Sequence, residues 1–287
     1  MQERDFPALY QSANDLSLES QTHFFRALKF HLVLLVVAAF LSFVHFPHWS
    51  VGVLQLLALL GALSCSIYLF SKRPDRNWYS GRAVAESIKT ITWRYVSRAE
   101  PFQGDDAKAR SQFQQKLKSI VDQNQAVAQA FTKYLDAPQI TDAMIQMRTS
   151  SLDDRKNRYA ENRIKDQLVW YAKKAAFNRS TSSAFFWALI VANGAAVLCA
   201  ILRITFTEVS HWPTDIFVAA AAGLLSWMQA KRFAELASSY ALAAHEIGLI
   251  REQAQQPVTD EDFSLFVGDA ENAFSREHTQ WVARKDA

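Results

Sequence analysis

The chain has 287 residues and a formal net charge of +3; half of it is hydrophobic and 21% is charged, an average that alone fits one or two soluble domains. Its distribution excludes that reading, because apolar residues are pooled into a few long blocks and charges into others, as in a membrane protein with large wet parts. Cys65 and Cys199 both lie inside apolar blocks, which excludes a disulfide framework, and eight glycines with no catalytic constellation make a poor enzyme.

The N-terminus, MQERDFPALY, lacks the basic-then-apolar layout of a signal peptide, so the wet parts are expected to stay in the cytoplasm. Four stretches then reach the roughly 20 residues that a helix needs to cross hydrocarbon. They run from about Leu28 to Phe46, Val51 to Phe70, Ala184 to Phe206 and Pro213 to Met228. Cytoplasmic flanks retain lysine and arginine. Arg4, Arg26 and Lys29 precede the first span, and Lys72, Arg73, Arg76 and Arg82 follow the second. Lys173, Lys174 and Arg179 precede the third, and Lys231 and Arg232 follow the fourth. The opposite side has only Arg203, so a multi-pass inner-membrane protein with both termini in the cytoplasm is expected. His48, Trp49, His211 and Trp212 suit the outer interface, where amphipathic rings settle.

After the second span comes GRAVAESIKTITWRY, in which Arg82, Glu86, Lys89 and Trp93 fall four, three and four apart and share one helix face. Beyond Pro101, Phe113, Leu117, Ile120, Val127, Phe131 and Leu135 predict one long amphipathic helix ending before Pro138. Ser150 or Ser151, with Asp153 and Asp154 following, caps a helix that meets no proline or glycine before Gly194 and so runs unbroken into the third span. The segment from Lys231 continues the fourth span as helix and stops before Pro257. Thr259 and Asp262 cap a last helix with Phe263, Val267, Ala270, Phe274 and Trp281 on one face. No useful strand alternation appears, and the expected class is all-α, with four transmembrane helices and long cytoplasmic helical extensions.

The two halves look alike, with the same inside-out-inside direction, which predicts a parallel repeat over residues 1–137 and 138–287. Gln21 and Phe24-Phe25 match Gln167 and Trp170-Tyr171, both loops contain HW, and Arg82 and Glu86 match Lys231 and Glu235.

Charge by region hints at a ligand. From Lys72 to Arg179 there are 21 basic and 12 acidic residues, a net of +9, whereas residues 231–287 have 6 and 10, a net of −4. Phosphate-rich ligands are held by clustered Arg and Lys, with aromatic planes for bases. Two such interleavings occur: Arg82, Lys89, Trp93 and Arg94; and Tyr159, Arg163, Gln167, Tyr171 and Lys174. The competing reading is an intrahelical ion-pair ladder from Arg82 through Glu86 to Lys89 on an ordinary positive membrane flank. Within the spans, Ser42, Gln55, Ser64 and Asn193 either line a water path or bond neighbouring helices, while Gly61, Cys65, Ala219 and Gly223 offer small packing faces. The seven histidines are scattered, so no metal centre is expected, and GRAVAES lacks the Gly-Lys-Ser ending of a phosphate loop. No cofactor is expected. His278 is expected to pack beside Trp281.

The strings NWYSGRAVAESIKTITWRYVSRAEPF, YAENRIKDQLVWYAKKA and FVGDAENAFSREHTQWVARK resemble the SLATT family, the two-transmembrane effector domains associated with SMODS nucleotidyltransferases and SLOG sensors in bacterial defence loci. With the spans they cover most of the chain as two consecutive copies. The resemblance implies a non-enzymatic membrane effector that oligomerises, a tetramer being one guess, and opens a pore in the bilayer when infection alters a nucleotide signal. The chain carries no recognisable fused sensor, so sensing falls to its own helices, through a nucleotide or short oligonucleotide, or to a partner nucleotidyltransferase or sensor protein. The rival expectation is a non-conducting scaffold that docks such a partner. A secondary transporter fits less well, since the spans lack broken helices and intramembrane charges.

Overall fold

A computed structural model of the chain describes residues 1–44, 48–209 and 211–283, with side chains described to Ser275. The described residues are helical and contain no strand. Nine principal helices follow one another: α1 Ala8–Phe43, α2 Trp49–Lys72, α3 Pro74–Val96, α4 Asp106–Gln123, α5 Asp142–Arg148, α6 Leu152–Thr205, α7 Thr214–Lys231, α8 Phe233–Gln253 and α9 Asp260–Ala283. They form two compact units, each drawing on both halves of the chain. A polar unit comprises Met1–Gln21, Asp75–Ala172 and Ala241–Ala287, and an apolar unit comprises Thr22–Pro74 and Lys173–Tyr240.

In the apolar unit, long apolar side chains stand outward, with Leu57 57% and Val191 69% exposed, as expected of helices whose solvent is lipid. Small residues turn inward: Ala58, Ala62, Ala192, Cys199 and Ala221 are buried. A Cβ on Gly61 would stand 3.0 Å from Leu34, and one on Gly223 3.9 Å from Leu32, so α2 and α7 both approach α1 at glycines. His31 Nδ1 lies 3.0 Å from the Ala62 carbonyl and 3.2 Å from Ser66 Oγ, a polar clasp between α1 and α2. Among the described residues three helices, α1, α2 and α6, are long and apolar enough to cross a membrane. The fourth expected span forms as α7 but has only 18 residues, with Asp215 and Lys231 at its ends, and does not join that set. Phe46, the expected end of the first span, lies outside the described residues.

In the polar unit, Ser151 Oγ accepts from Asp154 N at 3.2 Å, which starts α6 at Leu152. Thr259 and Asp262 form the expected reciprocal cap, Asp262 N donating to Thr259 Oγ1 at 3.1 Å and Thr259 N to Asp262 Oδ2 at 3.2 Å. Helix α6 continues for 54 residues, roughly 80 Å at the α-helical rise. One stretch, Ala160–Lys165, is wound as π-helix, an insertion often found where a helix carries function.

Two expected helices are shorter than their periodicity predicts. Helix α4 stops at Gln123, where Asn124 leaves helical conformation and its Nδ2 donates to the Ile120 carbonyl at 2.8 Å. One turn, Gln125–Ala128, follows; Val127 and Phe131 still reach the core, but Leu135 is 77% exposed. Nor does the fourth span run on unbroken: Arg232 adopts left-handed φ 53° and divides α7 from α8. Arg73 does the same at φ 44° between α2 and α3. The two hairpins therefore end alike at Lys72-Arg73 and Lys231-Arg232, ten positions off the register that pairs Arg82 with Lys231.

The polar core collects Trp93, Phe102, Phe113, Met144, Met147, Tyr159, Ile164 and Phe263, all nearly solvent-free. Gly81 brings α3 against α1: an added Cβ would sit 3.1 Å from the Ala13 carbonyl oxygen and 3.3 Å from Ser17 N, both rigid backbone. Gly81→Val is expected to lose about 1–3 kcal/mol of stability through overpacking, read as a fall in urea midpoint in detergent.

Candidate functional site

Helix α3 turns its charged stripe partly inward. Arg82 pairs with Glu86 at 2.7 Å, and Glu86 is 6% exposed. The expected ladder stops there, because Lys89 makes no ion pair or hydrogen bond among the described residues. Burial holds the half-buried Lys89 ammonium below the usual lysine range, opposed by Glu86 and Glu3 and reinforced by Arg163 and Arg82. Trp93 is 1% exposed, its ring 6.0 Å from Phe6 and 5.7 Å from Tyr159. Arg94 reaches α9, its Nη2 donating to Asn272 Oδ1 at 2.7 Å and to the Gly268 carbonyl at 3.1 Å.

The second stripe meets the first at the core. Arg163 donates from Nε to Glu271 Oε1 at 2.8 Å and from Nη2 to Oε2 at 2.7 Å, a two-pronged pair. Tyr159 Oη donates to the same Oε1 at 2.9 Å, and Phe274 lies under the guanidinium at 4.6 Å. Arg163, Tyr159 and Glu271 are at most 2% exposed. Burial works against the Arg163 charge, but Glu271 and its hydrogen bonds outweigh burial and keep the group cationic. Further along, Gln167 is half-buried, and Tyr171 is 4% exposed and lines a crevice with Glu246, Ile247, Ile250 and Phe274. Lys174 belongs to the apolar unit and is exposed. The structure thus gathers Arg82, Lys89, Trp93, Tyr159 and Arg163 in the polar unit, mostly as interior groups rather than a surface track.

Burial first, then Glu271 beside the hydroxyl, holds the Tyr159 phenol well above its ordinary value of 10.0. Burial, Glu3 and Glu86 do the same for Tyr10. An unfolded chain ionises both near pH 10 while the fold keeps them protonated, so stability from this source is intact below about pH 10 and falls above it. Tyrosinate absorbance is expected to develop for these two only together with loss of helical ellipticity. Full ionisation of every tyrosine in still-folded protein would contradict it.

Three buried charged residues, Arg148, Arg155 and Glu271, were not among those singled out from the sequence. Arg148, 2% exposed, donates from Nη1 to the Tyr95 carbonyl at 2.7 Å and from Nε to Asp106 Oδ1 at 2.9 Å. Arg155, 3% exposed, donates from Nη1 to the Ser97 carbonyl at 3.1 Å and from Nη2 to Asp260 Oδ1 at 2.5 Å. Both bond carbonyls at or just past the end of α3, that of Tyr95 also accepting from Arg98 N at 3.2 Å. Glu271 did have a signal: it lies three before Phe274 and four after Val267, on the apolar face of α9, where a carboxylate requires a buried partner.

In the apolar unit none of the four candidate pore residues is buried within the chain. Ser42, Ser64 and Asn193 stand on the outer surface and Gln55 is half-exposed. Ser64 Oγ returns to the Leu60 carbonyl at 2.8 Å and Asn193 Nδ2 to the Leu189 carbonyl at 2.9 Å, each within its own helix. The expected contact of His278 with Trp281 lies outside the described side chains. No group of metal-ligating side chains occurs among the described residues.

No curated protein and no solved structure matches the chain. Residues 7–156 match the family model of SMODS and SLOG-associating 2TM effector domain 3, and residues 159–281 match that of SMODS and SLOG-associating 2TM effector domain 1. Between them the two matches take in nearly all of the helices described above, and the chain belongs to the SMODS and SLOG-associating two-transmembrane effector (SLATT) family, as two such domains in tandem.

Proposed function

We propose that this chain is a membrane effector of an anti-phage defence system that assembles into an oligomeric ion channel, gated from the cytoplasm by a nucleotide or oligonucleotide signal received in the polar unit. The observation that carries the reading is the make-up of α1 and α6. Each runs without a break through residues of the polar unit and of the apolar unit, so displacement of its polar part is passed on covalently to its apolar part. The apolar unit supplies the conducting element. Its helices pack through small residues, which leaves room for a conduit only among several copies. Ser42, Ser64 and Asn193, outward-facing in one chain, are then available to line it. A signal shifts the channel only if it binds open and closed forms with different affinity.

The test is ion flux from liposomes reconstituted with the purified protein, with and without a panel of cyclic nucleotides and short oligonucleotides. The reading predicts flux that at least one panel member changes. Complete silence under all conditions would favour the non-conducting scaffold.

A further inference from the structure

Among the described residues, donors outnumber acceptors in the set of buried side-chain atoms of the polar unit that lack a hydrogen-bond partner. Glu271 already accepts two bonds from Arg163 and one from Tyr159. Glu86 is taken by Arg82. Six buried side-chain atoms of the unit have no hydrogen-bond partner among the described residues: Trp93 Nε1, Arg163 Nη1, Arg94 Nε, Arg148 Nη2, Ser97 Oγ and Gln112 Oε1; the first two lie nearest the half-buried ammonium of Lys89. These three donors share one neighbourhood. Lys89 and Trp93 are one turn apart on α3, the Trp93 ring lies 5.7 Å from Tyr159, and Arg163 is one turn beyond Tyr159 on α6. Arg163 and Glu271 cancel in charge, as do Arg82 and Glu86, and Lys89 leaves one positive charge uncompensated. The other carboxylate acting on Lys89, that of Glu3, is exposed at the first turn of the chain.

Buried donors without acceptors cost about 1–3 kcal/mol each, and more when charged. A water molecule could satisfy the donors but supplies no charge. An anion supplies both, and a tetrahedral oxyanion presents acceptors in several directions at once. We propose that the polar unit holds a buried oxyanion site in which Lys89, Trp93 and Arg163 donate to a phosphoryl group, free as inorganic phosphate or carried on a nucleotide. This rests on the reading of the polar unit as the part that receives a phosphorylated signal, and it narrows that reading: Trp93 and Tyr159 are inside the core, so the site recognises the phosphate and not a stacked base.

The test is the thermal midpoint of the full chain in detergent, titrated with inorganic phosphate or adenosine monophosphate at constant ionic strength against chloride and acetate. The proposal predicts a saturable rise with phosphate, and a rise with the nucleotide only if its phosphate can enter. Lys89→Met is expected to weaken the apparent affinity about tenfold or more. Trp93→Phe, which keeps the ring and removes only Nε1, is expected to weaken it several-fold while remaining folded. If neither phosphate shifts the midpoint, the site does not exist, and a rise in the bare Lys89→Met midpoint would identify Lys89 as a desolvated charge. If phosphate stabilises Lys89→Met as well as it does the parent, the ion binds elsewhere and the proposal is equally overturned. Since this readout involves no conduction, it can fail while liposome flux succeeds, or the reverse.

Discussion

Glu271→Ala is expected to cost about 3–5 kcal/mol of folding stability, the loss typical when one member of a buried ion pair is removed. The residue is 0% exposed and receives three hydrogen bonds. Its removal takes away the acceptor that the Arg163 guanidinium and the Tyr159 hydroxyl share. The pair itself contributes far less than its breakage costs, because two charges had to be desolvated to form it. The double variant Arg163→Met with Glu271→Leu is therefore expected to recover most of the loss. Urea unfolding in detergent, followed by ellipticity, separates the cases: a single variant no less stable than the parent would contradict the buried pair.

Trp93→Ala is expected to be about as damaging, roughly 3–5 kcal/mol, for a different reason. At 1% exposure the indole packs against Phe6 and Tyr159, and Tyr159 in turn bonds Glu271, so the void opens beside the Arg163–Glu271 pair. Because Tyr159 touches both Trp93 and Glu271, Trp93→Ala and Glu271→Ala are expected to be non-additive, their combined loss falling short of the sum. Strict additivity in a double-mutant cycle would show the aromatic and ionic parts of the core to be independent.

Much of the architecture was legible in the residues, because its signals are local. Ser151 and Thr259 cap helices by bonds to residues three positions on, so their spacing alone locates the starts of α6 and α9. Apolar blocks long enough to span hydrocarbon declare themselves by length and composition. The breaks were not legible. Arg73 and Arg232 end helices in left-handed conformation without the glycine or asparagine that usually marks such a stop, and no periodicity announces the π-wound turn at Ala160–Lys165. The charge spacing pairs Arg82 and Glu86 with Lys231 and Glu235, whereas the left-handed helix ends fall at Lys72-Arg73 and Lys231-Arg232, ten positions off that pairing.

For the site, residue types and helix faces could be read, but not direction. Counting cations between Lys72 and Arg179 treats each as available to a ligand, yet Arg148, Arg155 and Arg163 are at most 3% exposed and committed to carboxylates or carbonyls. Their carboxylate partners lie from 42 to 108 positions away along the chain, beyond any local pattern.

The central claim is that the apolar unit lies in the bilayer while the polar unit faces the cytoplasm. In a chain freed of its own thiols by Cys65→Ala and Cys199→Ala, single cysteines at exposed positions, S111C on α4 and E208C between α6 and α7, can be treated with a membrane-impermeant maleimide in spheroplasts. The account predicts that E208C is labelled in intact spheroplasts and S111C only after permeabilisation. Labelling of S111C from outside, or recovery of the protein in the soluble fraction, would contradict it.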